Sequence, residues 1–140
     1  MFEKSEFMKM NYLLQRAMDT SLVRHKVISD NIANVDTPNF KKSSVTFESQ
    51  LKRALDSEDI ARREPQGYIT NDRHIPFNRP VDYRQVGPKI QVEYDTNYRN
   101  DKNNVDIEKE MTDAVVNTLR YRALVDKMKM NYRMLNMAMS

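Results

Sequence analysis

Hydrophobic residues recur at helical intervals near both ends of the chain and lose that rhythm between them. A first stripe runs through Phe7, Leu14, Met18, Leu22, His25, Ile28, Ile32 and Val35, mostly three or four residues apart. That spacing is one face of a helix. It predicts a long N-terminal helix within residues 1–35, with Ser5 as the candidate N-cap. Thirty residues at 1.5 Å each span about 45 Å. A helix that long is marginal alone and needs packing along most of its length.

The second stripe is more regular. Met111, Ala114, Thr118, Tyr121, Val125, Met128, Tyr132, Leu135 and Met139 alternate steps of three and four. This is a heptad repeat, and it predicts a second long helix over residues 105–140. Asp106 is its candidate cap, and Glu108 and Glu110 put negative charge where the helix dipole favours it. A further apolar set, Val116, Leu119, Ala123, Met130 and Met137, lies beside or opposite the first. One seam suffices to pair the two helices, so the other leaves apolar surface for further partners.

The expected fold is therefore mainly α. The long terminal helices pair as an antiparallel coiled coil and form one helical domain. Residues 36–104 form a polar, largely irregular central insert, partly disordered. Within it, Phe47, Leu51, Ala54 and Leu55 predict a short helix over 46–57, with Thr46 as cap. Beyond that helix, Pro65, Gly67, Pro76, Pro80, Gly87 and Pro88 interrupt regular structure. Ile90, Val92 and Tyr94 alternate with polar residues, the pattern of a short strand. Asp95 to Asn104 is polar and asparagine-rich, which predicts loop or disorder that orders against neighbouring molecules.

The first helix must stop near Asn34. Asparagine is a weak helix former whose amide competes for nearby backbone groups, so Asn31 and Asn34 fit a helix end. Pro38 cannot continue a helix and disfavours the α region at Thr37. Asn39 suits a turn with positive φ, and Phe40 supplies an apolar anchor just beyond it.

Composition narrows the function. The chain is 39% hydrophobic and 31% charged, with two glycines and ten methionines. Long helices fit that balance better than a compact α/β enzyme, which needs glycine at tight turns. The net charge is +3, with acidic and basic residues interleaved. Lys52, Arg53, Arg62 and Arg63 read as a solvated surface, and no basic block marks nucleic-acid binding. With no cysteine, disulfides and thiolate metal sites are excluded. No apolar run is long enough to span a bilayer, and the N-terminus lacks the pattern of a cleaved secretory signal. His25 reads as a packing residue, and His74 has no ligand pattern near it. No phosphate loop, dinucleotide fingerprint, serine-hydrolase elbow or zinc-protease motif is present. No catalytic residue, cofactor, metal or small-molecule substrate is expected.

One stretch carries a resemblance. Ser29, Asn31, Ile32, Ala33, Asn34, Thr37, Pro38, Phe40 and Lys41, in that spacing, are similar to the N-terminal signature of the flagellar rod, hook and hook-associated protein family. The family commonly has glycine where Asn39 stands. Asparagine tolerates positive φ best among the other residues, so the turn survives. The run from Asn104 to Met111 and the run from Leu119 to Ala123 resemble the C-terminal end of the family's short rod members. The two matching ends cover roughly half the chain. The resemblance implies a structural subunit of the proximal rod of the bacterial flagellar basal body, in the periplasm. It would be exported by the flagellar type III apparatus without a cleaved signal, and would polymerise through its terminal helices to transmit torque. It implies copies of the same chain, related rod proteins and a basal-body adaptor at the membrane ring as partners. Leu14, Met18, Leu22, Ile28, Met111, Ala114, Tyr121, Val125, Met128, Tyr132 and Leu135 are the expected packing and assembly residues. The residues alone also allow a cytosolic helical-hairpin adaptor or chaperone that binds a partner helix.

Overall fold

A computed structural model describes residues 2–63, 71, 80–95 and 100–139. The chain is mainly helical. Helix α1 spans Phe2–Ala33, strand β1 Ser43–Thr46, helix α2 Glu48–Arg63, strand β2 Lys89–Val92 and helix α3 Ile107–Met139, with one 3-10 turn at Tyr83–Gln85. The breaks at Pro65, Gly67 and Pro76, and His74, lie outside the described residues.

The chain divides into two units, one of residues 1–45 with 90–140 and one of residues 46–89. The first holds α1 packed against α3. Bonded partners Asn31 with Glu110, Ser21 with Asn117, and Asn11 with Asn131 rise along one helix as they fall along the other. The helices are therefore antiparallel, as the paired stripes predict. Helix α1 begins at Phe2, so Ser5 lies inside it rather than capping it. Asp106 caps α3 as expected, its Oδ1 accepting from the Glu108 and Lys109 amides at 3.0 and 3.3 Å.

The second unit has its own small core. Phe47, Ala54 and Val86 are buried together, with Leu51 and Tyr83 packed on them. Helix α2 starts later and ends later than its hydrophobic spacing predicts. Thr46 is not its cap but the last residue of β1, its hydroxyl donating to the Lys89 carbonyl at 3.5 Å. The helix continues past Ser57 because Glu58 and Arg62 pair four residues apart at 3.3 Å and Arg62 and Arg63 stand at the negative end of its dipole. Ser57 donates to the Ala54 carbonyl at 2.7 Å and accepts from the Val81 amide at 2.9 Å.

Strands β1 and β2 pair as a two-stranded sheet. The Glu93 amide donates to Lys42 and Thr46 meets Lys89, so the pairing is antiparallel. All four residues of β2 are exposed.

Candidate functional site, an asparagine junction and a polar seam

The stretch after α1 is built around buried amides. The turn follows its sequence chemistry first. Asn39 takes φ 62°, the left-handed conformation expected of it. Asn34 Nδ2 donates to the Asp30 carbonyl at 2.7 Å, which satisfies one of the orphan carbonyls at the helix end. The Asn34 and Val35 amides donate to the carbonyls of Asn31 and Ile32 at 3.1 and 3.3 Å, and the carbonyls of the turn that follows are reached from far along the chain. Asn103 is completely buried. Its Nδ2 lies 3.0 Å from the carbonyl oxygens of Asn34 and Val35 and 2.9 Å from that of Thr37. Two hydrogens serve three acceptors, so one is shared. Asn103 Oδ1 accepts from the Val105 amide at 2.8 Å. One side chain thus ties the end of α1 to the entry of α3.

Asn31 makes the second tie. Its Oδ1 accepts from the Ser43 amide at 3.0 Å and its Nδ2 donates to the Ser43 carbonyl at 2.8 Å. The same Nδ2 reaches Glu110 Oε2 at 3.0 Å. Glu110, expected as a charge favoured by the helix dipole, stands in the first turn of α3 and is buried. Its other oxygen lies 3.7 Å from Lys42 Nζ, which also meets Glu93 at 3.4 Å. A buried carboxylate is tolerable only with such partners. Asn104 completes the junction, accepting from the Lys42 amide and donating to the Glu93 carbonyl, both at 2.7 Å. The Asn39 amide donates to the Asp101 carbonyl, and Lys41 Nζ donates to the Lys102 carbonyl. Residues 100–106, before α3, have no helix or strand, as the loop composition predicts, and asparagines anchor them.

Polar contacts continue along the helix pair. Asn117 Nδ2 donates to the Ser21 carbonyl at 2.8 Å, and Asn131 Nδ2 donates to Asn11 Oδ1 at 2.9 Å. Thr20 and Ser21 are buried on the same seam, their hydroxyls returned to the carbonyls of Arg16 and Ala17. The seam of α3 therefore runs through Glu110, Ala114, Asn117, Tyr121, Leu124, Val125, Met128 and Asn131. It keeps Ala114, Tyr121, Val125 and Met128 of the expected stripe. Met111, Thr118, Tyr132 and Leu135 are exposed beside it. On α1, Leu14 and Ile28 are buried and Met18 and Ile32 half-buried, whereas Leu22 and His25 are exposed. Of the motif residues, Asn31 is buried, Asn34, Phe40 and Lys41 are half-buried, and Ser29, Ala33, Thr37 and Pro38 are exposed. Lys42, Ser43, Asn103, Asn104 and Glu110 complete the junction, and none carries an apolar-periodicity signal. The seven-residue spacing of Glu110, Asn117 and Leu124 with Asn131 was the one available clue.

This arrangement does structural work. Among the described residues no three carboxylate or imidazole side chains converge to hold a metal ion. No described helix is long and apolar enough to cross a membrane. The family described as flagella basal body rod protein matches residues 12–41, which hold the middle of the seam, Asn31 and the turn. A flagellar basal body rod protein FlgB of Borrelia hermsii is 38% identical over 125 residues, covering 89% of this chain and 90% of the relative. The chain belongs to the FlgB family of flagellar basal body rod proteins. A FlgB of Borreliella burgdorferi is 33% identical over 89% of the chain and 90% of its own length. That of Bacillus subtilis is 36% identical over 82% and 81%. The similarity to these FlgB proteins thus extends well beyond the turn.

Proposed function

We propose that the chain is a structural subunit of the proximal rod that polymerises through its terminal helices and transmits torque by packing. One observation carries this reading: beside a few buried apolar residues, Leu14, Val27 and Ile28, the helix pair buries a set of polar side chains and turns many large apolar ones outward. Thr20, Ser21, Asn31, Asn117 and Asn131 are buried, while Leu22, Met111, Val115, Leu119, Met130 and Met137 are each about half exposed or more. Large apolar side chains exposed in this number favour association with other molecules. A repeated head-to-tail contact between such surfaces generates a tube. Its partners are copies of itself, related rod proteins and a basal-body adaptor at the membrane ring. It reaches the periplasm through the flagellar type III export apparatus.

The test is fractionation of cells carrying a tagged chain, with Pro38→Ala and Phe40→Ala beside the native sequence. The native chain should co-purify with basal bodies. Both variants should remain soluble but lose rod incorporation and swimming. Retention in the soluble cytoplasm with normal motility after deletion would overturn the rod reading and favour the helical adaptor.

A further inference from the structure

The outward face of α3 has an internal symmetry of its own. Its helical positions include Met111, Val115, Leu119, Arg122, Asp126, Met130, Arg133 and Met137, separated by steps of three or four. All eight are exposed. They are arranged about Leu124, which faces the opposite way. Arg122 and Asp126 lie two residues either side of it. Leu119 and Met130 lie five and six away, Val115 and Arg133 nine, and Met111 and Met137 thirteen.

We infer that this face pairs with the same face of a second copy, antiparallel, about a two-fold axis beside position 124. The inference rests on the outward face being an assembly surface, and it specifies one occupant and one orientation. In a two-fold contact each residue meets its counterpart twice. Arg122 then faces Asp126 of the second copy and Asp126 faces its Arg122. Leu119 packs on Met130, and Met111 on Met137, again twice. The aliphatic stem of Arg133 lies along Val115 with its charge at the rim. Met130, Met134 and Met137, with Asp126, Lys129 and Arg133, line a shallow recess that receives Met111. From Met111 to Met137 the strip is about 40 Å long.

Charge decides the orientation. A parallel, in-register pair would set Arg122, Asp126 and Arg133 against themselves, three like-charge contacts. The antiparallel pair replaces the first two by opposite-charge contacts. Among the described residues Asp126 pairs with Lys129, at 3.8 Å with both side chains about three-quarters exposed. Such a contact is weak and exchangeable. The pair would cover side chains that the rod also uses, so dimer and rod compete for one surface.

The chain has no cysteine, so introduced cysteines report geometry without interference. The purified full chain is oxidised mildly as Ala123→Cys, as Met137→Cys and as Met111→Cys with Met137→Cys. Ala123→Cys sits beside the axis and should form a disulfide-linked dimer. Met137→Cys alone should not, while the double variant should. Efficient linkage of Met137→Cys alone would mean parallel pairing and overturn the inference, as would no linkage in any variant. Sedimentation equilibrium of the cysteine-free chain gives the second readout. Arg122→Asp and Asp126→Arg should each weaken the dimer about tenfold or more, and the double exchange should restore it. Failure of the double exchange to restore the dimer would also overturn the inference. Basal-body incorporation is scored separately. A dimer with no incorporation contradicts the rod reading alone, and incorporation without any dimer contradicts this inference alone.

Discussion

The two units of the chain solve the problem of a core in different ways. The unit of residues 46–89 buries Phe47, Ala54 and Val86 against Leu51 and Tyr83, an apolar cluster that excludes water. The unit holding α1 and α3 buries Thr20, Ser21, Asn31, Asn103, Glu110, Asn117 and Asn131. Its large apolar side chains stand mostly outside. The first arrangement stabilises by transfer of hydrocarbon from water. The second also buries Leu14, Val27, Ile28 and Val105, and adds directional bonds that fix which residues meet. Under the proposed rod assembly the difference has a reason: the first unit needs only to hold itself together, whereas the second would keep its apolar surface for neighbours.

Breaking the junction should have the largest effect. Asn103→Ala removes the amide that bridges the carbonyls of Asn34, Val35 and Thr37 and leaves the buried Val105 amide without its acceptor, at a cost of about 3–5 kcal/mol for the several bonds lost together. Urea denaturation followed by helical circular dichroism should show it. A loss under about 1 kcal/mol would mean that water replaces the amide. Phe47→Ala should cost about 3–4 kcal/mol by emptying the small core. Hydrogen exchange should then quicken across residues 46–63 and 80–89 while α1 and α3 stay protected. Loss of protection in all of them together would show that the units fold as one. Asn117→Leu sharpens the contrast further. Its Oδ1 is buried without a hydrogen-bond partner among the described residues, so an apolar replacement should be neutral or stabilising by about 1 kcal/mol. A drop of more than about 2 kcal/mol in a thermal melt would instead assign Asn117 a net stabilising role. The smallest effect belongs to the outward face. Leu22→Ser should move the stability of the single chain by no more than about 0.5 kcal/mol. A larger loss in the same melt would place Leu22 in an intramolecular contact.

Much of this fold is legible from hydrophobic spacing. Both long helices, the short helix, one strand and the turn at Asn39 follow from local pattern and propensity. The seam is only half legible. Apolar periodicity identifies surfaces that avoid water but not what covers them. Leu22, Met111 and Tyr132 therefore read like Leu14 and Ile28, although only the latter two are buried in the chain. The converse error concerns asparagine. In the sequence Asn103 and Asn104 have the composition of a loop, because nothing local reveals that their amides reach carbonyls some sixty-nine and eleven residues away. Thr46 shows a third kind of limit. A cap and a strand end favour the same residue, and the pairing with Lys89 decided between them.

The cross-links of the seam also bear on how the helix pair carries load. Greasy surfaces can slide past each other, since one apolar neighbour serves nearly as well as the next. Here the bonds at Asn11, Ser21 and Asn31 lie ten residues apart on α1, about 15 Å between successive stitches. Pulling one helix along the other brings no equivalent partner into reach until every stitch has parted. The pair would therefore resist shear with little creep and then fail abruptly, as a sewn joint does and a glued one does not.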